Sequence, residues 1–130
     1  MPSVLVIDDE ADVRDSLKLV LGRSGFDVRT ASHGDEGLAS FVRTPADVVI
    51  VDVVMPGKTG VEVIATLRAR DPSARIVAIT GGGGFGPPGR QPDATDAQLT
   101  AARRAGADAV LTKPFHRAEV LATVRTLVGG

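Results

Sequence analysis

The sequence predicts an α/β fold built on a parallel sheet, and three observations support this. Three short runs of unbroken apolarity, rich in β-branched residues, stand out as Val4-Leu5-Val6-Ile7, Val48-Val49-Ile50-Val51 and Ile76-Val77-Ala78-Ile79. Runs without polar alternation suit strands covered on both faces. The stretches between them repeat apolar residues at helical spacing. Two weaker strands, Asp27-Val28-Arg29-Thr30 and Ala109-Val110-Leu111, bring the count to five, and strands that alternate with helices imply parallel pairing through crossover connections.

After the first run, Val13, Leu17, Val20 and Leu21 share one helical stripe, and the helix is expected to stop between Gly22 and Gly25, where glycine takes the left-handed ending. Phe26 leads into the second strand. A second helix burying Leu38, Phe41 and Val42 should end at Thr44-Pro45, because proline disfavours the helical conformation in the residue before it. Thr59-Gly60-Val61-Glu62 reads as a capping box opening a third helix, with Val61, Ile64 and Leu67 inward. A fourth helix, around Thr95 to Ala105, offers mostly alanines and Leu99, so its packing is the least determined. Val120, Leu121, Val124, Leu127 and Val128 give the fifth the clearest apolar face.

Between the fourth strand and fourth helix runs a Gly/Pro-rich connection of 12 residues, 81–92, where about 2–6 are usual for a strand-to-helix turn. Gly81, Gly83 and Gly86 fit the spacing G-x-G-x-x-G, but Pro87-Pro88 follows where a dinucleotide motif would open a helix. The segment is read as a flexible insertion that orders on phosphorylation or partner binding.

At 130 residues the chain is expected to form one domain, 1–130, burying about two-thirds of the surface its unfolded form exposes. Fifteen Lys and Arg against sixteen Asp and Glu leave a charge of -1, which offers no general pull toward nucleic acid or an anionic membrane. The absence of cysteine excludes disulfides, thiolate metal sites and cysteine catalysis. Met1-Pro2-Ser3 runs into four apolar residues and then acids, unlike a secretion signal. No apolar run is long enough to span a bilayer, so a cytoplasmic protein with no membrane and no direct nucleic-acid partner is expected. His33 and His116 lie in polar stretches and read as solvated.

In an open parallel sheet, ligands gather beyond the carboxyl ends of the strands. The residues there are Asp8, Asp9, Asp52, Thr80 and Lys113. Taken singly, Asp8 and Asp9 read as caps of the first helix, Asp52 as the start of a turn through Pro56-Gly57, and Lys113 as a surface cation. Jointly, four strand ends that each yield a reactive or phosphate-binding group point to chemistry. Three carboxylates meeting at low dielectric repel one another unless a cation lies between them, and hard oxygen ligands favour Mg²⁺.

These residues and their surroundings resemble the response-regulator receiver domain over nearly the whole chain: Val4-Leu5-Val6-Ile7-Asp8-Asp9-Glu10, Asp52-Val53-Val54-Met55-Pro56-Gly57-Lys58-Thr59-Gly60, Thr80, Gly106-Ala107-Asp108 and Lys113-Pro114-Phe115. The resemblance implies a flavodoxin-like, doubly wound five-stranded parallel sheet of order 2-1-3-4-5 with five helices. It implies Asp52 as phosphoacceptor, with Asp8, Asp9, Asp52 and the Val54 backbone carbonyl holding Mg²⁺. Lys113 would pair a phosphoryl oxygen, and Thr80 would move toward the phosphoryl as the switch. The implied donor is a sensor histidine kinase or histidine phosphotransfer protein. The implied output is a protein target on the face of the fourth helix, fifth strand and fifth helix, on a monomer or weak dimer. Lys113-Pro114 matches the family's cis peptide.

The match has departures. Val110 stands where relatives often place an aromatic residue, three positions before the site lysine, so aromatic gating is excluded and the switch passes through the backbone or uses a different output surface. Val54 and Gly82 lack the polar groups that help position hydrolytic water in relatives, so slow self-dephosphorylation is expected. Two other readings stay open. A Mg²⁺-dependent phosphatase resembling the haloacid-dehalogenase class would need an acid two residues after its nucleophile, where this chain has Val54. A binding module independent of phosphorylation would keep the acidic site uncoupled from output.

Overall fold

In a computed structural model that describes residues 2–55, 59–80, 92–113 and 115–129, with the side chains of 92–97 also outside the description, strands and helices alternate from end to end. They are β1 (Ser3–Ile7), α1 (Ala11–Arg23), β2 (Asp27–Ala31), α2 (Gly34–Arg43), β3 (Val48–Asp52), α3 (Gly60–Arg70), β4 (Arg75–Thr80), α4 (Pro92–Ala105), β5 (Ala109–Thr112) and α5 (Arg117–Gly129). All pairings are parallel, in the order β2-β1-β3-β4-β5.

The unbroken apolar runs are buried on both faces, as their composition requires. Successive residues of each central strand enter opposite cores. Val4, Val6, Val48, Ile50, Val77 and Ile79 pack with Leu17 and Leu21 of α1 and with Val120 and Val124 of α5. Leu5, Ile7, Val49, Val51, Ile76 and Ala78 pack with Phe41 of α2, Ile64 and Leu67 of α3, and Ala102 of α4. Helices α1 and α5 therefore cover one face and α2, α3 and α4 the other. The connection leaving β1 for β2 runs to one side, and the one reaching β3 returns to the other. The switch point thus lies between β1 and β3, and in such sheets the crevice beyond that point takes the ligand.

Helix ends follow local chemistry. Gly25, at φ 94°, supplies the left-handed residue after α1. Thr44 is extended before Pro45 and closes α2. The Thr59 hydroxyl and the Glu62 carboxylate cap α3 reciprocally.

Two expectations are corrected. Val42 is 49% exposed rather than buried. The inward stripe of α2 is Gly34, Gly37 and Phe41, and a Cβ on Gly37 would meet Ile7 Cδ1 at 2.3 Å. Two glycines on the buried side therefore turn Val42 outward. Helix α4 begins at Pro92 instead of near Thr95; proline suits a first helical position, where its missing N–H has no partner to lose. Residue 92 thus leaves the predicted 81–92 connection, whose remaining residues 81–91 lie outside the described residues, as do Pro56-Gly57 and Pro114 of the predicted cis peptide. His33 is exposed, as expected, and its Nδ1 also accepts from the Glu36 N–H as the N-cap of α2. No described helix is long and apolar enough to cross a membrane.

Candidate functional site

The site forms where β1 and β3 end. Asp8 directly follows β1, and its N–H donates to the Ala31 carbonyl of β2 at 3.1 Å. Its carbonyl accepts from Arg14 Nη1 at 2.7 Å and its Oδ1 from the Glu10 N–H at 2.9 Å, which fixes the side chain at the entrance to α1. Asp52 is the last residue of β3. The Val54 N–H donates to its Oδ1 at 3.0 Å, and the Gly60 N–H donates to the Val53 carbonyl at 3.0 Å. Gly60 has no room for a side chain, since a Cβ there would lie 2.0 Å from the Asp52 carbonyl oxygen. The start of α3 thus presses against the backbone that aims Asp52.

Sheet register carries the remaining groups to the same rim. Asp52 pairs with Ile79 and Thr80 with Thr112, so Lys113 emerges just beyond β5, with its N–H donating to the Thr80 carbonyl at 2.9 Å. Lys113 Nζ stands 3.5 Å from Asp8 Oδ2, 3.5 Å from Asp52 Oδ2 and 3.3 Å from Glu10 Oε1. Carboxylate oxygens of Asp8, Asp9, Glu10 and Asp52 all lie within 4.8 Å of one another.

The acids differ in exposure. Asp8 and Asp52 are buried, whereas Asp9 and Glu10 are exposed. Burial and the neighbouring Asp8 charge push the Asp52 carboxyl up to about 7, against the opposing effects of Lys113 and the Val54 N–H. Burial likewise raises Asp8. Burial alone would lower Lys113, but Asp52, Asp8 and Glu10 together hold it above its ordinary value.

The structure gathers Asp8, Asp9, Asp52 and Lys113 as the sequence anticipates. Thr80 is fully buried at the end of β4, and its Oγ1 has no hydrogen-bond partner. Val54 lies in the segment leaving β3, with its side chain 45% exposed. Val110 is half-buried against the core. Sequence reasoning assigned no role to Glu10. The available signal was an unbroken acidic triplet, Asp8-Asp9-Glu10, running into a helix start.

Two buried oxygens, Asp8 Oδ2 and Asp52 Oδ2, have no hydrogen-bond partner. Orphaned buried carboxylate oxygens, faced by further acids and raised in pKa, form an all-oxygen donor set that a small hard dication suits.

A doubly wound parallel sheet with clustered acids and a bridging lysine at its switch point defines a flavodoxin-like α/β protein with a charged rim. A family model described as "Response regulator receiver domain" matches residues 4–125, and the chain belongs to that family. It is a receiver domain of the two-component response-regulator class, a signalling module. It is 32% identical over 130 residues to sensory transduction protein RegX3 of Mycolicibacterium smegmatis, covering 98% of this chain and 51% of that protein. It is 37% identical over 127 residues to transcriptional regulatory protein PrrA of Mycobacterium leprae, covering 98% and 50%. The chain thus spans about half the length of these relatives. The Vibrio cholerae chemotaxis protein CheY4 superposes with a TM-score of 0.82 at 29% identity, covering 98% of each chain.

Proposed function

We propose that the chain is a phosphorylation-activated switch in which Asp52 accepts a phosphoryl group, with Mg²⁺, from a sensor histidine kinase or a histidine phosphotransfer protein. The observation that carries this is Asp52 itself: buried, with one oxygen committed to the Val54 N–H and the other facing Lys113 without a hydrogen bond.

Asp8, Asp9, Asp52 and the Val54 backbone carbonyl are the groups assigned to hold the metal. When bound, Mg²⁺ neutralises charge on the transferring phosphoryl oxygens and on the acids around it. In the transfer, Asp52 Oδ2 forms a bond to phosphorus while the bond from phosphorus to the donor's histidine nitrogen breaks, and the nitrogen keeps that electron pair. Lys113 offers N–H donors to a phosphoryl oxygen as charge shifts onto it. Thr80 supplies the readout. Its unpartnered hydroxyl gains an acceptor once Asp52 carries phosphoryl oxygens, and its movement shifts the surface of α4, β5 and α5 toward a protein target. Without an aromatic residue at Val110, that shift is carried by backbone.

A cytoplasmic location, one receiver domain over 1–130 and a monomer or weak dimer belong to the same reading, as does the Gly/Pro-rich connection after Thr80 as an insertion that orders on phosphorylation or partner binding. In this reading the receiver takes up one phosphoryl group and loses it slowly, without turning over a substrate.

Incubation with acetyl phosphate and Mg²⁺, followed by intact-mass measurement, tests the reading. One added phosphoryl group, absent in Asp52→Asn and in the presence of a chelator, is expected. Multiple turnover of the reagent would indicate a phosphatase. Failure of both acetyl phosphate and a cognate kinase to modify the protein would indicate a phosphorylation-independent binding module.

A further inference from the structure

Glu10 is the N-cap residue of α1, extended at φ -90° and ψ 118°, yet its side chain makes no capping hydrogen bond. Glutamate is an unusual choice there, because the short acceptors of Ser, Thr, Asp and Asn reach the first-turn N–H groups. Its side chain bonds elsewhere. Glu10 Oε1 accepts from Lys113 Nζ at 3.3 Å, a bond joining residues 103 apart in sequence. Lys113 Nζ is farther, at 3.5 Å, from both Asp8 Oδ2 and Asp52 Oδ2, and neither of those buried oxygens has a hydrogen-bond partner. Among the described residues, then, the ammonium of Lys113, whose side chain is 11% exposed, hydrogen-bonds the rim carboxylate, 47% exposed, while the two buried oxygens meet it only as ion pairs at 3.5 Å, although a hydrogen bond would stabilise them more.

We propose that Glu10 is a positioning residue: it restrains the Lys113 ammonium at the mouth of the site and competes for it with the incoming phosphoryl group. The competition half rests on the reading of Lys113 as the phosphoryl-binding cation. The restraint half rests only on the bond described. A rim partner and inner partners draw on one flexible four-carbon stem, so an ammonium held by Glu10 is less available where charge develops. Loss of the tether frees Lys113 inward and speeds phosphoryl uptake.

Two variants separate tether from charge. Glu10→Gln removes the charge. Glu10→Asp keeps it on a stem one methylene shorter, which no longer reaches Lys113. In metal-free protein, both are expected to shift the Lys113 Cε methylene NMR resonances away from their wild-type positions. With acetyl phosphate at saturating Mg²⁺, both should raise the phosphorylation rate about two- to fivefold, the ratio that a part-exposed ion pair supplies. Resonances unmoved in both variants would overturn the restraint. Acceleration by Glu10→Gln alone would assign the effect to rim charge acting on the donor, and slowing with weakened Mg²⁺ binding would assign Glu10 to the metal; either overturns the proposal. If the wild-type protein takes up no phosphoryl group, the proposed function fails and the competition fails with it, and the Lys113 resonances still decide the restraint.

Discussion

The two oxygens of Asp52 have different surroundings. Oδ1 is held by a backbone N–H, and Oδ2 has no hydrogen-bond partner and is the oxygen the proposed transfer would use. The neighbouring Val54 bears on how long a phosphoryl group would survive there. Its side chain is apolar and 45% exposed beside the site, so it offers no hydrogen bond to an attacking water. Val54→Asn should shorten the lifetime of phosphorylated protein on the order of tenfold by helping to orient that water; an unchanged decay rate, followed by intact mass, would remove Val54 from the account. Asp8, Asp52, Thr80 and Lys113 were legible in the sequence because each ends or follows an apolar run, and parallel strands bring those ends to one rim. Glu10 was not, because its bond to Lys113 spans 103 residues and no local pattern encodes it.

The elements are tied together at the opposite rim by Arg68. From α3 its Nε and Nη2 donate to the Gly106 carbonyl at 3.1 and 2.7 Å, and its Nη1 donates to the Pro72 and Ala74 carbonyls at 2.8 and 2.7 Å. Nη2 also meets Asp108 Oδ2 at 2.8 Å, and that oxygen accepts the Ile76 N–H of β4. All five guanidinium donors are thereby used, joining the end of α3, the entry to β4 and the turn from α4 to β5. Gly106, at φ 124°, completes the joint, since a Cβ there would sit 2.8 Å from Arg68 Cγ. Arg68→Lys keeps the charge but loses the planar fork. It should cost about 2 to 3 kcal/mol in urea unfolding, with Arg68→Met at least as costly; a lysine variant as stable as wild type would show that charge alone suffices. The apolar runs made β1, β3 and β4 legible, because burial on both faces leaves no polar alternation. The inward face of α2 was not legible, because Gly34 and Gly37 form it and glycine carries no hydrophobic signal. The start of α4 was not legible because Pro92 closes a run of glycines and prolines in sequence, yet serves as the first helical residue.

For the molecule as a whole, the acidic rim sets how stability depends on pH and metal. The folded state holds Asp52 up at about 7 and raises Asp8, so between the ordinary carboxylate range and neutrality it binds more protons than the unfolded chain. Stability of the metal-free protein must then fall as pH rises through that window. Lys113 has the opposite sense: its raised pKa contributes stability that is complete at neutral pH and lost only in the alkaline range, so it does not offset the fall. Between about pH 5 and about pH 8, Asp52 alone should remove roughly 2 to 4 kcal/mol. Under the proposed metal binding, Mg²⁺ would take the deprotonated acids, so its stabilising effect should be larger at the upper pH. Asp52→Asn should flatten the metal-free slope and, at about pH 8, exceed the wild type in stability, because it removes a buried charge that repels Asp8. Urea unfolding with and without Mg²⁺ at both pH values checks all three expectations. A metal-free protein that grows more stable across this range would mean that the acids at the rim do not repel one another, and the physical need for a cation there would be gone.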